Sequence, residues 1–274
     1  MDPVISVSDL ADILHRPGVV VLDVQWNLVG EPGDQLYAAA HLAEAAHLDL
    51  DTALAGPPGV GGRHPLPDPL VLQDALRAAG VHDASHVIVY DQATSLAAAR
   101  AWWVLSWAGL DAVQVLDGGL TAWEAAGLPV TSAPLTPPVG SVRVAPGALP
   151  ALDAAGAATM AADGVLLDSR AAERFRGDSE PIDSAAGHIP GAVNAPMSDQ
   201  ITAAGSLRSG EELRRYFARL GVDGSTRVAT SCGSGVTAAH TAWALASIGI
   251  DAAVYVGSWS NWIIDPSRPI ATGA

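Results

Sequence analysis

Only one cysteine occurs in the chain, Cys232, and it stands in the run Ser231-Cys232-Gly233-Ser234-Gly235-Val236-Thr237, where an apolar stretch gives way to a helical pattern. The order strand, cysteine, Gly-x-Gly, helix presents a thiol at the mouth of a tight turn. Two glycines let the backbone curl so that successive N–H groups point inward, and the helix N-terminus adds partial positive charge. Thiols lose their proton more readily in such settings. The chemistry on offer is therefore that of a thiolate nucleophile, or of an anionic sulfur carried on it. Gly233, Gly235, Val236 and Thr237 are expected to bind that anion through the main chain.

Two neighbouring chemistries are disfavoured by single positions. A phosphatase loop of the form Cys-x5-Arg needs an arginine to fork around phosphate oxygens, and position 238 is Ala238. A serine nucleophile at Ser234 in a Gly-x-Ser-x-Gly elbow would need glycine where Cys232 stands. One cysteine excludes an internal disulfide framework and makes a cysteine metal cluster impossible without other ligands; no metal ligand is assigned. A free thiol fits a reducing compartment.

The basic residues are fourteen arginines with no lysine, and the formal net charge is −15, which argues against nucleic acid or an anionic membrane as partner. An anionic substrate would have to be captured by local arginines and N–H groups. No stretch approaches a membrane span, and Met1-Asp2-Pro3-Val4 lacks the features of a secretory signal, so a cytoplasmic location is the expectation.

The elements that must position the thiol occur twice. Val87-Ile88-Val89-Tyr90-Asp91 aligns with Val228-Ala229-Thr230-Ser231-Cys232 at an offset of 141 residues, which also sets Trp102 on Trp243. Val21-Leu22-Asp23 matches Leu166-Leu167-Asp168, His41 matches His188, and Gly118 to Trp123 matches Gly257 to Trp262. In each half short apolar strands alternate with amphipathic helices, the pattern of an α/β fold with a mainly parallel sheet flanked by helices. Strands are expected near Val19–Asp23, His86–Asp91, Ala112–Leu116, Val165–Asp168, Arg227–Ser231 and Ala252–Val256. Helices are expected near Leu70–Ala79, Ala97–Ala108, Leu120–Ala126, Glu211–Leu220 and Thr237–Ser247; Gly80 closes the first, and Ser209 with Glu212 opens the fourth as a capping box. Residues 131–150 carry Pro134, Pro137, Pro138 and Pro146 and read as a linker. The division is 1–130, a Pro-rich linker over 131–150, and 151–274. Asp91 occupies the Cys232 position of the first copy, and a carboxylate there cannot carry sulfur.

Cys232-Gly233-Ser234-Gly235-Val236-Thr237 resembles the active loop of the two-domain rhodanese-type sulfurtransferases, in particular their 3-mercaptopyruvate branch. Asp168-Ser169-Arg170, Arg174-Phe175-Arg176-Gly177, Gly187-His188-Ile189-Pro190-Gly191 and Leu116-Asp117-Gly118-Gly119-Leu120 extend the likeness over nearly the whole chain. The resemblance implies two tandem rhodanese-like domains, the first non-catalytic and the second catalytic, and no cofactor. It implies sulfur transfer from a small anionic donor through a Cys232 persulfide to cyanide, a thiol or a thioredoxin-like dithiol.

The thiosulfate branch carries cationic side chains just after its cysteine. Here those positions are Gly233 and Ser234, which favours 3-mercaptopyruvate over thiosulfate. Of the two arginines that hold the donor in the mercaptopyruvate branch, one maps onto Arg174 and the other onto Ile182; Arg176 can stand in for the second, or the donor differs. The branch also carries a Ser-His-Asp relay whose positions match Ser234, His64 and Asp51. His64 lies in the loop Gly61-Gly62-Arg63-His64-Pro65, where Arg63 adds positive potential and a histidine can serve the proton that the leaving pyruvate enolate takes up. Arg170, His41 and His188 read as structural. Trp102, Trp103 and Trp107 read as core or seam, and Trp259 and Trp262 as candidates to wall the site. A sulfur-carrier or regulatory binding protein that does not turn over is the reading from another functional class.

Overall fold

The computed structural model describes all 274 residues, Met1–Ala274, as two compact units. One comprises Met1–Gly56, Leu66–Leu149 and Ala203–Ser206, the other Pro57–Pro65, Pro150–Thr202 and Leu207–Ala274. The chain therefore changes unit at the end of the proline-rich stretch, and the short loop carrying Arg63 and His64 belongs with the second unit.

The first unit contains β1 (Val4–Ile5), α1 (Val7–Ile13), β2 (Val19–Asp23), α2 (Gly33–Ala39), β3 (His41–Leu42), β4 (Ala45–His47), α3 (Leu50–Ala53), α4 (Pro69–Ala78), β5 (His86–Tyr90), α5 (Leu96–Trp107), β6 (Val113–Leu116), α6 (Gly119–Ala125) and β7 (Val130–Thr131). The second contains β8 (Ala151–Leu152), α7 (Ala154–Asp163), β9 (Val165–Asp168), α8 (Ala172–Arg176), β10 (Val193–Asn194), a 3-10 turn at Met197–Gln200, α9 (Gly210–Arg219), β11 (Val228–Ser231), α10 (Val236–Ala246), β12 (Ala253–Tyr255) and α11 (Ser258–Trp262). The two five-stranded sheets have one topology, β1-β6-β5-β2-β4 and β8-β12-β11-β9-β10, with every neighbouring pair parallel.

Both faces of each sheet are covered, so its central strands are mainly apolar, with polar residues such as Asp23, Asp168 and Ser231 at their C-terminal ends. In the second unit, alternation sends Leu166 and Ala229 to a core with α7 and α11, and Leu167 and Val228 to a core with α9 and α10. Helix α10 is buried along nearly its whole length and has few polar groups to lose, as has α5 in the first unit. The capping box of Ser209 and Glu212 opens α9. Gly80, at φ +81, follows the end of α4 in the left-handed conformation that glycine adopts without strain. The expected strands and helices all occur, displaced at most by about one residue, the usual uncertainty of element ends.

One register differs from the sequence alignment. Helix α5 starts after Ser95 and α10 after Gly235, both in the left-handed region, so the helices align at an offset of 140 rather than 141. The turn after Asp91 is one residue longer than the turn after Cys232. Trp103, not Trp102, is thus the counterpart of Trp243, and these two are the fully buried pair. No helix is long and apolar enough to cross a membrane.

Candidate active site

Strand β11 lies between β9 and β12, which fixes its C-terminal end at the centre of the sheet. Cys232 is the next residue and is almost fully buried. Its Sγ accepts the Gly235 amide at 3.1 Å, a contact made possible by Gly235 turning at φ +86. The Cys232 amide donates to Ser258 Oγ at 3.0 Å, and Ser258 Oγ lies 3.9 Å from Sγ. The amides of Trp259 and Ser260 donate to the Cys232 and Gly233 carbonyls at 2.9 and 2.8 Å. The loop is thereby tied to the segment 258–260, and the Gly235 amide is the main-chain donor on the sulfur.

Ser258 is a residue that sequence reasoning did not single out. It holds φ +51, uncommon for a side chain with a Cβ, and its counterpart in the first unit is Gly119 at φ +56. A Cβ at Gly119 would come within 2.3 Å of the Asp91 carbonyl. The backbone shape is shared, and the copy that bears the thiol accepts a strained serine where the other has glycine. That exchange, visible in the internal repeat, was the available signal.

The counterpart of the thiol, Asp91, fills its own loop. Its Oδ1 accepts the amides of Ala93 and Ser95 at 3.1 and 3.0 Å, and its Oδ2 those of Ala97 and Ala98 at 2.8 and 3.2 Å. Burial raises this carboxyl above its ordinary value, against the pull of the four amides.

Within the second unit the loop 57–65 reaches the thiol loop. Val60 O accepts from Asn261 Nδ2 at 2.6 Å, the Arg63 amide donates to Ser260 Oγ at 3.0 Å, and a Cβ at Gly62 would lie 2.7 Å from the Gly257 carbonyl. Only glycine permits that approach. The result is a buried hydrogen bond of 2.8 Å between His64 Nδ1 and Ser234 Oγ. Asp51, on α3 of the first unit, accepts from Trp26 Nε1 at 3.0 Å.

The arginines sort themselves by partner. Arg174 donates to both oxygens of Glu180, at 2.7 to 3.1 Å, and to Asp183 Oδ2 at 3.1 Å. Arg63 donates to the two oxygens of Asp183 at 2.7 and 3.4 Å. Arg170, buried, donates to Asp168, Glu180 and the Gly187 carbonyl and lies over the Trp259 ring. Burial penalises the Glu180 carboxylate, but the Arg174 guanidinium and the Asp183 and Ile182 amides hold its pKa below the ordinary value. Arg176 instead pairs with Asp178 at the exposed surface at 2.8 Å.

This geometry combines a buried thiol at a sheet's C-terminal edge, a main-chain donor on its sulfur and a nearby histidine–serine pair. The Rhodanese-like domain family matches residues 6–126 and 153–265. The chain belongs to the rhodanese family. A probable 3-mercaptopyruvate sulfurtransferase of Pseudomonas aeruginosa is 42% identical to it over 280 residues, covering 98% of each chain. A putative thiosulfate sulfurtransferase, SseB, of Mycobacterium tuberculosis is 40% identical over 274 residues, covering 98% of this chain and 96% of its own. The crystal structure of SseA from Escherichia coli, which describes the rhodanese fold of 3-mercaptopyruvate sulfotransferases, superposes with a TM-score of 0.84 at 29% identity, over 95% of this chain and all of that one. This rhodanese is a sulfurtransferase.

Of the residues the sequence nominates in this rhodanese, Cys232, Gly233, Ser234, Gly235, Val236, His64 and Arg174 gather around one loop, with Thr237 in the first turn of α10. Arg176 does not join them, because a five-residue helix turns its side chain to Asp178. Trp259 and Trp262 are core residues rather than walls, with indole N–H groups on the Ala185 and Pro269 carbonyls. His41 and His188 are structural twins. Each stacks on an aromatic ring at 3.7 Å, Tyr37 or Phe175, and bonds that residue's carbonyl through Nδ1.

Proposed function

We propose that Cys232 takes the sulfur of 3-mercaptopyruvate as a persulfide and passes it to a thiophilic acceptor. The thiolate attacks the donor's sulfur, an S–S bond forms, and the donor's C–S bond breaks with its electron pair leaving on the pyruvate enolate. That carbanion is then protonated. In the second half-reaction cyanide, a small thiol or a thioredoxin-like dithiol attacks the outer sulfur, and Cys232 thiolate is the leaving group. The observation that carries this reading is the Gly235 amide 3.1 Å from Sγ, a donor aimed at the atom on which negative charge resides.

Arg174 takes the donor's carboxylate, in part by exchange with Glu180 and Asp183. The Ser234–His64 pair serves the proton that the enolate needs; its 2.8 Å bond gives that proton a defined carrier within reach of the loop. The mercaptopyruvate name of the Pseudomonas aeruginosa relative and the neutral pair Gly233–Ser234 support this donor. Thiosulfate is the second reading, favoured by the name of the Mycobacterium tuberculosis relative. Steady-state kinetics with each donor and cyanide as acceptor decides: kcat/KM higher for 3-mercaptopyruvate is expected, and a large preference for thiosulfate overturns the choice. Cys232→Ala is expected to abolish turnover with both.

A further inference from the structure

We propose that Arg63 is the second guanidinium of the donor site, supplied by the loop 57–65 in place of the arginine that Ile182 displaces. The inference rests on the reading of an anionic donor at Cys232. Three observations carry it.

The first is convergence. A Cβ built on Gly233, the residue after the nucleophile, would lie 3.2 Å from Arg63 Nη2 and 3.6 and 3.7 Å from Arg174 Nη2 and Nη1. Two guanidinium groups from distant segments thus meet over one glycine, and any side chain at 233 would push into them. The absence of a cationic side chain at that position is what admits two cationic tips from elsewhere.

The second is an unused donor. Arg63 Nε is buried with no hydrogen-bond partner, although both Nη atoms are held by Asp183. Buried donors are nearly always satisfied, so an orphan beside a reactive thiol is most simply a group waiting for substrate. Asp183 also accepts from Arg174, so one carboxylate sets both guanidinium groups, and the Ser260 hydroxyl that receives the Arg63 amide belongs to the segment that fixes Cys232.

The third is charge. Without Arg63 the cluster would set Arg170 and Arg174 against Asp168, Glu180 and Asp183, a surplus of negative charge that repels a carboxylate. Arg63 restores balance. Ile182, uncharged, cannot; it is 44% exposed beside a cavity of about 320 Å³ that Arg63, Asp183 and Ile264 also line.

The test compares 3-mercaptopyruvate with a neutral organic polysulfide, both as donors to the full chain, in wild type, Arg63→Ala, Arg63→Lys and the double variant Arg63→Ala with Ile182→Arg. Arg63→Ala is expected to lower kcat/KM for mercaptopyruvate roughly 10- to 100-fold, mainly through KM, and at least tenfold more than for the neutral polysulfide, because one charge-assisted contact is lost. Arg63→Lys should recover part of the loss, and Ile182→Arg should recover most of it, which a purely structural role for Arg63 does not predict. Equal losses with both donors, or an unchanged KM for mercaptopyruvate, overturn the assignment. A wild type that takes sulfur from the polysulfide but not from mercaptopyruvate overturns the donor reading itself, and the role of Arg63 with it.

Discussion

Asp91 Oδ2 accepts the Ala97 amide at 2.8 Å, so the residue that follows strand β5 is bonded to the first turn of helix α5. Counting from the left-handed residues Ser95 and Gly235, Ala97 corresponds to Thr237, while the paired strands set Asp91 on Cys232. A carboxyl oxygen stands two bonds from Cβ, as the outer sulfur of a persulfide does. The first unit therefore carries, with an amino-acid side chain, a group of the reach that the proposed persulfide would have in the second unit's loop. Its own acceptor occupies the cradle.

Removing that acceptor strands four donors. Asp91→Ala is expected to destabilise the first unit by about 2–4 kcal/mol, since buried amides without partners keep their desolvation cost. Asp91→Asn, which retains an acceptor oxygen, should lose less. Urea unfolding followed by tryptophan fluorescence measures both; equal stability of Asp91→Ala and wild type would mean that water replaces the carboxyl without cost.

The Ser234–His64 bond predicts a donor-dependent defect. His64→Ala should lower kcat with 3-mercaptopyruvate by about 10²-fold, the lower end of what a positioned proton carrier contributes. With thiosulfate the leaving sulfite needs no proton on carbon, so the loss should be much smaller. Parallel losses with both donors would assign His64 to loop positioning alone.

Ser258 couples strain to function. Ser258→Gly relieves a left-handed serine and should be more stable than Ser258→Ala by about 1 kcal/mol. Both remove the hydroxyl from the Cys232 amide, so both should slow persulfide formation in a single-turnover experiment. A Ser258→Ala variant as fast as wild type would show the hydroxyl to be dispensable.

Glu180 links the arginine cluster to pH. Its folded pKa lies below the ordinary 4.5, so its stabilising contribution is complete above about that pH and is lost as pH falls through the lower folded value. Wild type should lose more stability than Glu180→Gln as pH falls from about 5 to about 3. Identical slopes of the urea midpoint against pH would contradict the pairing with Arg174.

Much of this architecture is legible in the residues themselves. The strand–cysteine–Gly-x-Gly–helix run specifies the turn at Cys232 because its chemistry is local: a strand end, a glycine at positive φ and a helix start. The paired landmarks reveal the duplication for the same reason. What the sequence leaves open is set by contacts between distant segments. Arg63 stands 120 residues from Asp183 and 197 from Ser260, and no spacing rule connects them. Arg176 looks equivalent to Arg174 along the chain, yet helix α8 sends one to Glu180 and the other to Asp178. The one-residue difference between the two turns is likewise invisible to an ungapped alignment, because Trp102 and Trp103 both offer a tryptophan to match Trp243.

The most direct test is the intact mass of the protein after incubation with 3-mercaptopyruvate and desalting. A gain of one sulfur atom on wild type, reversed by cyanide and absent from Cys232→Ala, is expected. No gain on wild type, or the same gain on Cys232→Ala, would contradict a Cys232 persulfide.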